Sequence, residues 1–147
     1  RTRGAGLIVY LTPIAGRVAM PGLGLTGATA HGLVGFADAL RRELFGTGIQ
    51  IVTALTGWTR DAGTHTAVQR LAQRAHLPLL DPPEIAEALL NGLLNGQAEI
   101  VIGGGSYRAL VELERYAPFL ATLYWRALNS PMWLAAARAT GVKNTDN

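Results

Sequence analysis

Three short apolar runs punctuate the first two-thirds of the chain, at residues 7–11 (Leu-Ile-Val-Tyr-Leu), 49–55 (Ile-Gln-Ile-Val-Thr-Ala-Leu) and 99–103 (Glu-Ile-Val-Ile-Gly). Each is rich in β-branched residues and bounded by Gly or Pro, the pattern of strands buried on both faces of a parallel sheet. Between the first two, Leu33, Phe36, Leu40 and Leu44 recur at helical spacing, and Gly46 stands where a C-terminal cap belongs. A helix is therefore expected over about residues 26–45. Asp81-Pro-Pro-Glu84 reads as a second helix start, with Pro tolerated in the first turn and acids at the positive end. That helix carries Ile85, Leu89, Leu90, Leu93 and Leu94 before Gly96. Residues 59–79 are polar and predict a loop with a short helix near 66–75. Strand, helix, strand, helix, strand makes two crossover units of an α/β layer fold.

Beyond residue 105 the pattern is helical throughout. Leu110, Leu113 and Tyr116 form an apolar stripe, Pro118 and Pro131 break the periodicity, and residues 119–136 are unusually apolar. Arg126, Asn129 and Pro131 interrupt that stretch, so it does not predict a transmembrane helix. The division expected is a sheet domain over 1–105 and a helical C-terminal extension over 106–147. A sheet of about three strands has at least one bare edge, which calls for more sheet from a preceding segment or another subunit.

Composition narrows the classes. The chain has 147 residues, 49% of them apolar and 16% charged, which fits one globular domain rather than disorder. A net charge of +3 is spread over scattered arginines, without a basic stripe interleaved with aromatics, so nucleic-acid binding has no support. Zero cysteines exclude disulfides, thiolate metal sites and a Cys nucleophile, and are consistent with a cytoplasmic protein. No secretory signal pattern opens the chain. It begins Arg-Thr-Arg-Gly without Met and enters a strand at once, as expected of a piece cut from a longer protein.

Taken in order, several segments resemble the C-terminal half of the short-chain dehydrogenase/reductase family. Residues 6–17 (Gly-Leu-Ile-Val-Tyr-Leu-Thr-Pro-Ile-Ala-Gly-Arg) are similar to its fifth strand and the Ser-rich turn that follows. Pro21-Gly22 and residues 35–44 (Gly-Phe-Ala-Asp-Ala-Leu-Arg-Arg-Glu-Leu) resemble its long active-site helix. Residues 46–49 and 56–59 (Thr-Gly-Trp-Thr) resemble its sixth strand and the Pro-Gly turn that meets the nicotinamide, and residues 83–89 and 99–104 its last helix and strand. The likeness covers about residues 4–105. It implies the C-terminal half of a Rossmann-like doubly wound parallel sheet, NAD or NADP as cofactor, and hydride transfer at a carbonyl. The family's first four strands and Gly-rich phosphate turn have no counterpart. Gly22-Leu-Gly24-Leu-Thr-Gly27 spells the dinucleotide fingerprint, but about ten residues separate it from the preceding strand, whereas a true fingerprint follows its strand directly. These small residues are instead expected to serve close helix packing.

The family's chemistry uses a Tyr as general acid, a Lys one helical turn later that lowers the phenol pKa, and a Ser that polarises the carbonyl. The resemblance puts these roles at Thr26, Ala30 and Pro13. A Thr hydroxyl is too weak an acid, Ala brings no charge, and Pro has no side-chain donor. A one-residue slip offers Thr12, Gly27 and His31 instead. Thr12 points to the opposite strand face, Gly27 contributes nothing, and His31 lies about 100° around the helix from the Lys position. Tyr10, on a strand, reads as packing. Gly57, Trp58 and Thr59 are the candidate cofactor contacts, although Thr56 replaces the family's Pro and Asp61 would repel a pyrophosphate. Trp58 could stack on a ring or simply cover the sheet. Gly103-Gly-Gly105 could face a ligand or be a plain loop. No metal-ligand pattern is present.

The function implied is a segment of an NAD(P)-dependent oxidoreductase that is inactive in hydride transfer by itself, a pseudoenzyme piece. The alternative is a non-catalytic binding or oligomerisation module of the same descent, needing no cofactor. Its partner would be a second copy or the missing N-terminal half, met through helix 26–45 and the sheet edge. For the aromatic tail (Phe119, Leu123, Tyr124, Trp125, Trp133), core or subunit packing is preferred to membrane contact.

Overall fold

A computed structural model describes residues 4–60, 72–73 and 75–128. Three strands, β1 (Gly6–Pro13), β2 (Ile49–Thr56) and β3 (Glu99–Ile102), form one parallel sheet in the order β1-β2-β3. Gly6 lies opposite Ile49 and Thr53 opposite Glu99, so β3 pairs only with the C-terminal half of β2. Four α-helices accompany them among the described residues: α1 (Gly24–Glu43), α2 (Pro82–Leu94), α3 (Gly105–Tyr116) and α4 (Pro118–Leu128). A short 3-10 turn, Ile14–Gly16, links β1 to the loop before α1. This is the doubly wound layer arrangement expected from the strand and helix pattern, here three strands wide with helices after β3.

The strand alternation sorts the helices by face. Ile51 clusters with Ala37 of α1 and with Leu44 just after that helix, whereas its neighbour Val52 clusters with Ile85, Ala88, Leu89 and Leu93 of α2. Consecutive strand residues face opposite ways, so α1 and α2 cover opposite faces. Because both crossovers step in the same direction across the sheet, they have opposite hand. One of them breaks the strong preference for right-handed connections. Val101 packs with Tyr107, Leu110 and Val111, which puts α3 on the α1 face. Residues 105–128 thus share a core with Ile14, Val18 and Met20 rather than standing apart from the sheet.

Three expectations from periodicity are corrected. The buried seam of α1 is Ala30, Val34 and Ala37, while Phe36 is 55% exposed. Small residues win there because the helix lies close: a Cβ on Gly16 would come within 2.8 Å of Val34 Cγ2 and 3.2 Å of the Ala30 carbonyl oxygen. In α3, Tyr107, Leu110 and Val111 are buried and Tyr116 is not. A strict three-residue repeat drifts around the helix by roughly 60° per step and leaves the core face. Finally, β2 is buried on both faces as expected, but β1 is not, with Leu7, Ile8 and Leu11 each more than 40% exposed. No strand among the described residues pairs with the outer edge of β1. The expected short helix near 66–75 falls almost wholly outside the described residues.

Helix boundaries have local causes. Glu84 accepts a hydrogen bond from the Asp81 N–H at 2.9 Å, half of the capping box that starts α2 behind its two prolines. Pro118 opens α4 two residues after α3 ends.

Candidate functional site

The three strands end on one side of the sheet, where the 3-10 turn after β1, the turn after β2 and the turn after β3 come together. Pro13 is the last residue of β1 and is exposed, while Thr12 before it is 4% exposed and faces inward. Thr26 lies in the first turn of α1, exposed, its carbonyl accepting a bond from the Thr29 hydroxyl at 3.0 Å. Ala30 follows one turn later, 4% exposed and pressed beneath Gly16. The 3-10 turn packs closely on α1, so the segment just after Pro13 meets the helix at Ala30. What this corner lacks is an acid, a base or a hydroxyl aimed inward from any of the three positions.

His31 belongs to a different surface. It is exposed, and its Nδ1 lies 2.9 Å from the Gly27 carbonyl, which can only accept, so Nδ1 carries the proton in that contact. It borders an open groove of about 550 Å³ between Met20-Pro21 and the Gly24–His31 side of α1, which Pro13, Thr26 and Ala30 do not line. His31 is therefore not set toward the corner of Pro13, Thr26 and Ala30. Tyr10 packs edge-on against Phe36, with ring centroids 6.0 Å apart. Gly24 and Gly27 lie inside α1 rather than after a strand. A Cβ on Gly24 would meet nothing within 4 Å, so that glycine is not needed for close packing.

The turn after β2 is the most closely held part of the site. The Gly57 N–H donates to the Ile102 carbonyl at 3.2 Å, the Leu80 N–H to the Trp58 carbonyl at 2.8 Å, and the Arg60 N–H to the Leu80 carbonyl at 2.8 Å. Thr59 and Leu80 form a parallel bridge. Trp58 is half-buried against the core cluster rather than lying open. Tyr107, a residue that motif reading passed over, is fully buried beside this turn. Burial pushes its phenol pKa up, and the hydrogen bond from the Trp58 N–H works the other way. A Tyr in an apolar helix stripe carries no functional signal by itself, so nothing in the chain marked it. Asp61 lies outside the described residues.

On the α1–α3 face, a charge network crosses the sheet. Asp38 accepts from Arg17 at 2.8 Å and from Arg41 at 2.6 Å, and Glu99 accepts from Arg17 at 2.6 Å and from Arg115 at 2.9 Å. Arg41 also donates to the Ile51 and Ala98 carbonyls and to the buried Thr53 hydroxyl. Burial alone would raise the Asp38 pKa, but the two guanidinium groups outweigh it and hold the carboxyl below its ordinary value. With every member paired, this network is a brace between elements. No group of His, Asp or Glu among the described residues could hold a metal ion, and none of the described helices is long and apolar enough to cross a membrane.

Comparison with known proteins gives this geometry its setting. No family model matches the chain. The chain is 28% identical over 100 residues to the ketoacyl reductase HetN of a Nostoc species, covering 68% of this chain and 34% of that protein. It is 22% identical to a dehydrogenase/reductase SDR family protein 7-like of Drosophila melanogaster, over 98% of this chain and 43% of the relative. Among solved structures, a short-chain dehydrogenase from Burkholderia cenocepacia in complex with NADP superposes with a TM-score of 0.65 at 19% identity, over 86% of this chain and 48% of that one. An actinorhodin polyketide ketoreductase with NADPH gives a TM-score of 0.58 at 25% identity, over 72% and 49% of the two chains. The chain resembles the family of the short-chain dehydrogenases/reductases. What this chain shares with it is the C-terminal half, and it spans about half or less of the length of these relatives. Within that short-chain dehydrogenase/reductase frame, β1, β2 and β3 stand where the resemblance set the fifth, sixth and last strands.

Proposed function

We propose that this chain is the substrate- and nicotinamide-side half of a short-chain dehydrogenase/reductase-like oxidoreductase, and that it does not transfer hydride by itself. The observation that carries this reading is the corner of Pro13, Thr26 and Ala30. Hydride delivery to a carbonyl needs a proton donor at the oxygen, and none of these residues can donate one near neutral pH. Ala30 itself is buried beneath Gly16 and brings no charge to that space. NAD or NADP is the cofactor implied by the relatives solved with NADP and NADPH. The resemblance would bring only its nicotinamide end to this chain, at Gly57, Trp58 and Thr59. When bound, a nicotinamide would supply the hydride, while this chain would contribute a fixed turn beside it. The partner is the nucleotide-binding half, seated against the β1 edge and the Phe36 side of α1, in the cytoplasm.

A second reading, a non-catalytic binding or oligomerisation module, draws on the same exposed residues, Leu7, Ile8, Leu11 and Phe36. Titration of the purified chain with NADPH and NADH separates the two. Amide shifts at residues 57–60 support the cofactor-facing half; no shift at millimolar dinucleotide removes any cofactor role for this chain alone. Rebuilding the family set by Pro13→Ser, Thr26→Tyr and Ala30→Lys, in a chain carrying both halves, is expected to create carbonyl reduction above the unsubstituted background. Thr26 is exposed and accepts the larger ring, whereas Lys at position 30 must displace the turn at Gly16. If the triple variant stays inactive while folded, divergence extends beyond these three positions.

A further inference from the structure

We propose that Tyr107 is a positioning residue through which the C-terminal helices hold the 57–60 turn in place. Tyr107 stands in the first turn of α3, yet its ring reaches back between the ends of β2 and β3. A Cβ on Gly57 would lie 2.3 Å from its Cζ, and a Cβ on Gly103 would lie 2.2 Å from its Cδ2. Only glycine leaves room for the ring at both strand ends, and Gly103, with φ +125°, also adopts a backbone that L side chains rarely take. This gives both glycines a reason that has nothing to do with approach of a ligand.

The hydroxyl completes the arrangement. It accepts from the Trp58 N–H at 3.1 Å and donates to the Pro78 carbonyl at 2.8 Å. The bonds of Gly57 and Arg60 in this turn go to backbone carbonyls, and Trp58 takes a side chain instead. Tyr107 thus bridges the two segments, 58–60 and 78–80, at the point where their own pairing needs one more partner. A second tyrosine reinforces it from α4: Tyr124 donates its hydroxyl to the Ala75 carbonyl at 3.0 Å. Both hydroxyls from the helical tail therefore bond the segment of residues 75–80, and Leu80 transmits that placement to Trp58 and Arg60. A buried amide left without a partner loses much of its reason to stay ordered. The consequence for a dinucleotide rests on the reading of this turn as nicotinamide-facing; the placement of the turn does not.

The test is amide hydrogen exchange on the isotopically labelled chain, wild type against Tyr107→Phe, followed by NADPH titration of each. Removal of the hydroxyl alone is expected to speed exchange at Trp58 by about five- to tenfold, the equivalent of one lost hydrogen bond. Val52 and Ala54 in β2 should keep their wild-type rates. Gly57→Ala, which retains the hydroxyl but displaces the ring, should give the same signature and covers the case in which Tyr107→Phe does not fold. An unchanged Trp58 rate, or an equal rise across β2, overturns the proposal and makes Tyr107 a core filler. Weaker NADPH shifts at residues 59–60 in Tyr107→Phe extend the role to the cofactor. Faster Trp58 exchange in Tyr107→Phe, together with no NADPH shift in the wild-type chain, keeps the positioning role and removes the cofactor reading.

Discussion

Replacing Asp38 by Ala tests the charge network directly. Asp38 sits on α1 and accepts two short charge-assisted bonds, from Arg17 beyond the 3-10 turn and from Arg41 one helical turn on. Its side chain is 21% exposed, so water screens it only in part. Charge-assisted bonds contribute about 1.5–3 kcal/mol each when buried and about 0.2–1 kcal/mol when exposed; an intermediate value near 1 kcal/mol applies to each here. Both arginines keep other partners, Arg17 with Glu99 and Arg41 with two carbonyls and Thr53, so neither is stranded. The expected loss is about 2 kcal/mol, or roughly 8 °C in Tm for a domain of this size. The sign of the pH effect follows from the depressed folded-state pKa. Ionised Asp38 stabilises the fold fully above its ordinary carboxylate value, and that contribution is lost as pH falls through the lower folded value. Urea unfolding followed by circular dichroism at constant salt should therefore show a wild-type advantage that is constant from pH 7 to 5 and shrinks below about pH 4. An advantage under about 0.5 kcal/mol at pH 7, the scale of a surface pair, or one that persists unchanged at pH 2.5, would refute the reasoning.

Two other substitutions probe packing and the sheet edge. Gly92→Ala should gain about 1 kcal/mol of helix propensity in α2, but its Cβ would lie 2.6–2.9 Å from the Ile100 side chain. Overpacking of about 1–3 kcal/mol outweighs that gain, so the urea midpoint should fall; a rise would mean that α2 yields easily. Leu11→Lys places a charge on the 54%-exposed flank of β1 and should reduce self-association in light scattering, since an unpaired apolar edge strand invites pairing. Equal association of variant and wild type would show that β1 is not the sticky edge.

The strand and helix order was legible along the chain because each run carries its own period and its own stop signals. The runs at 7–11, 49–55 and 99–103, the Asp81-Pro-Pro-Glu84 start and the break at Pro118 all became the elements expected. That Pro13, Thr26 and Ala30 bring no acid or cation is read from residue identity alone, whereas their match to the family's catalytic positions rests on the resemblance. Long-range proximity is not. That Gly57 and Gly103 frame a ring from position 107, that Ala30 rather than Phe36 faces the core, and that α1 and α2 lie on opposite faces all depend on contacts between segments far apart in sequence. Local pattern reports which residues prefer burial. Only the packed sheet decides which are close enough for a methyl group to be excluded, and so why a glycine or a small side chain stands where a larger apolar one would satisfy the period equally well.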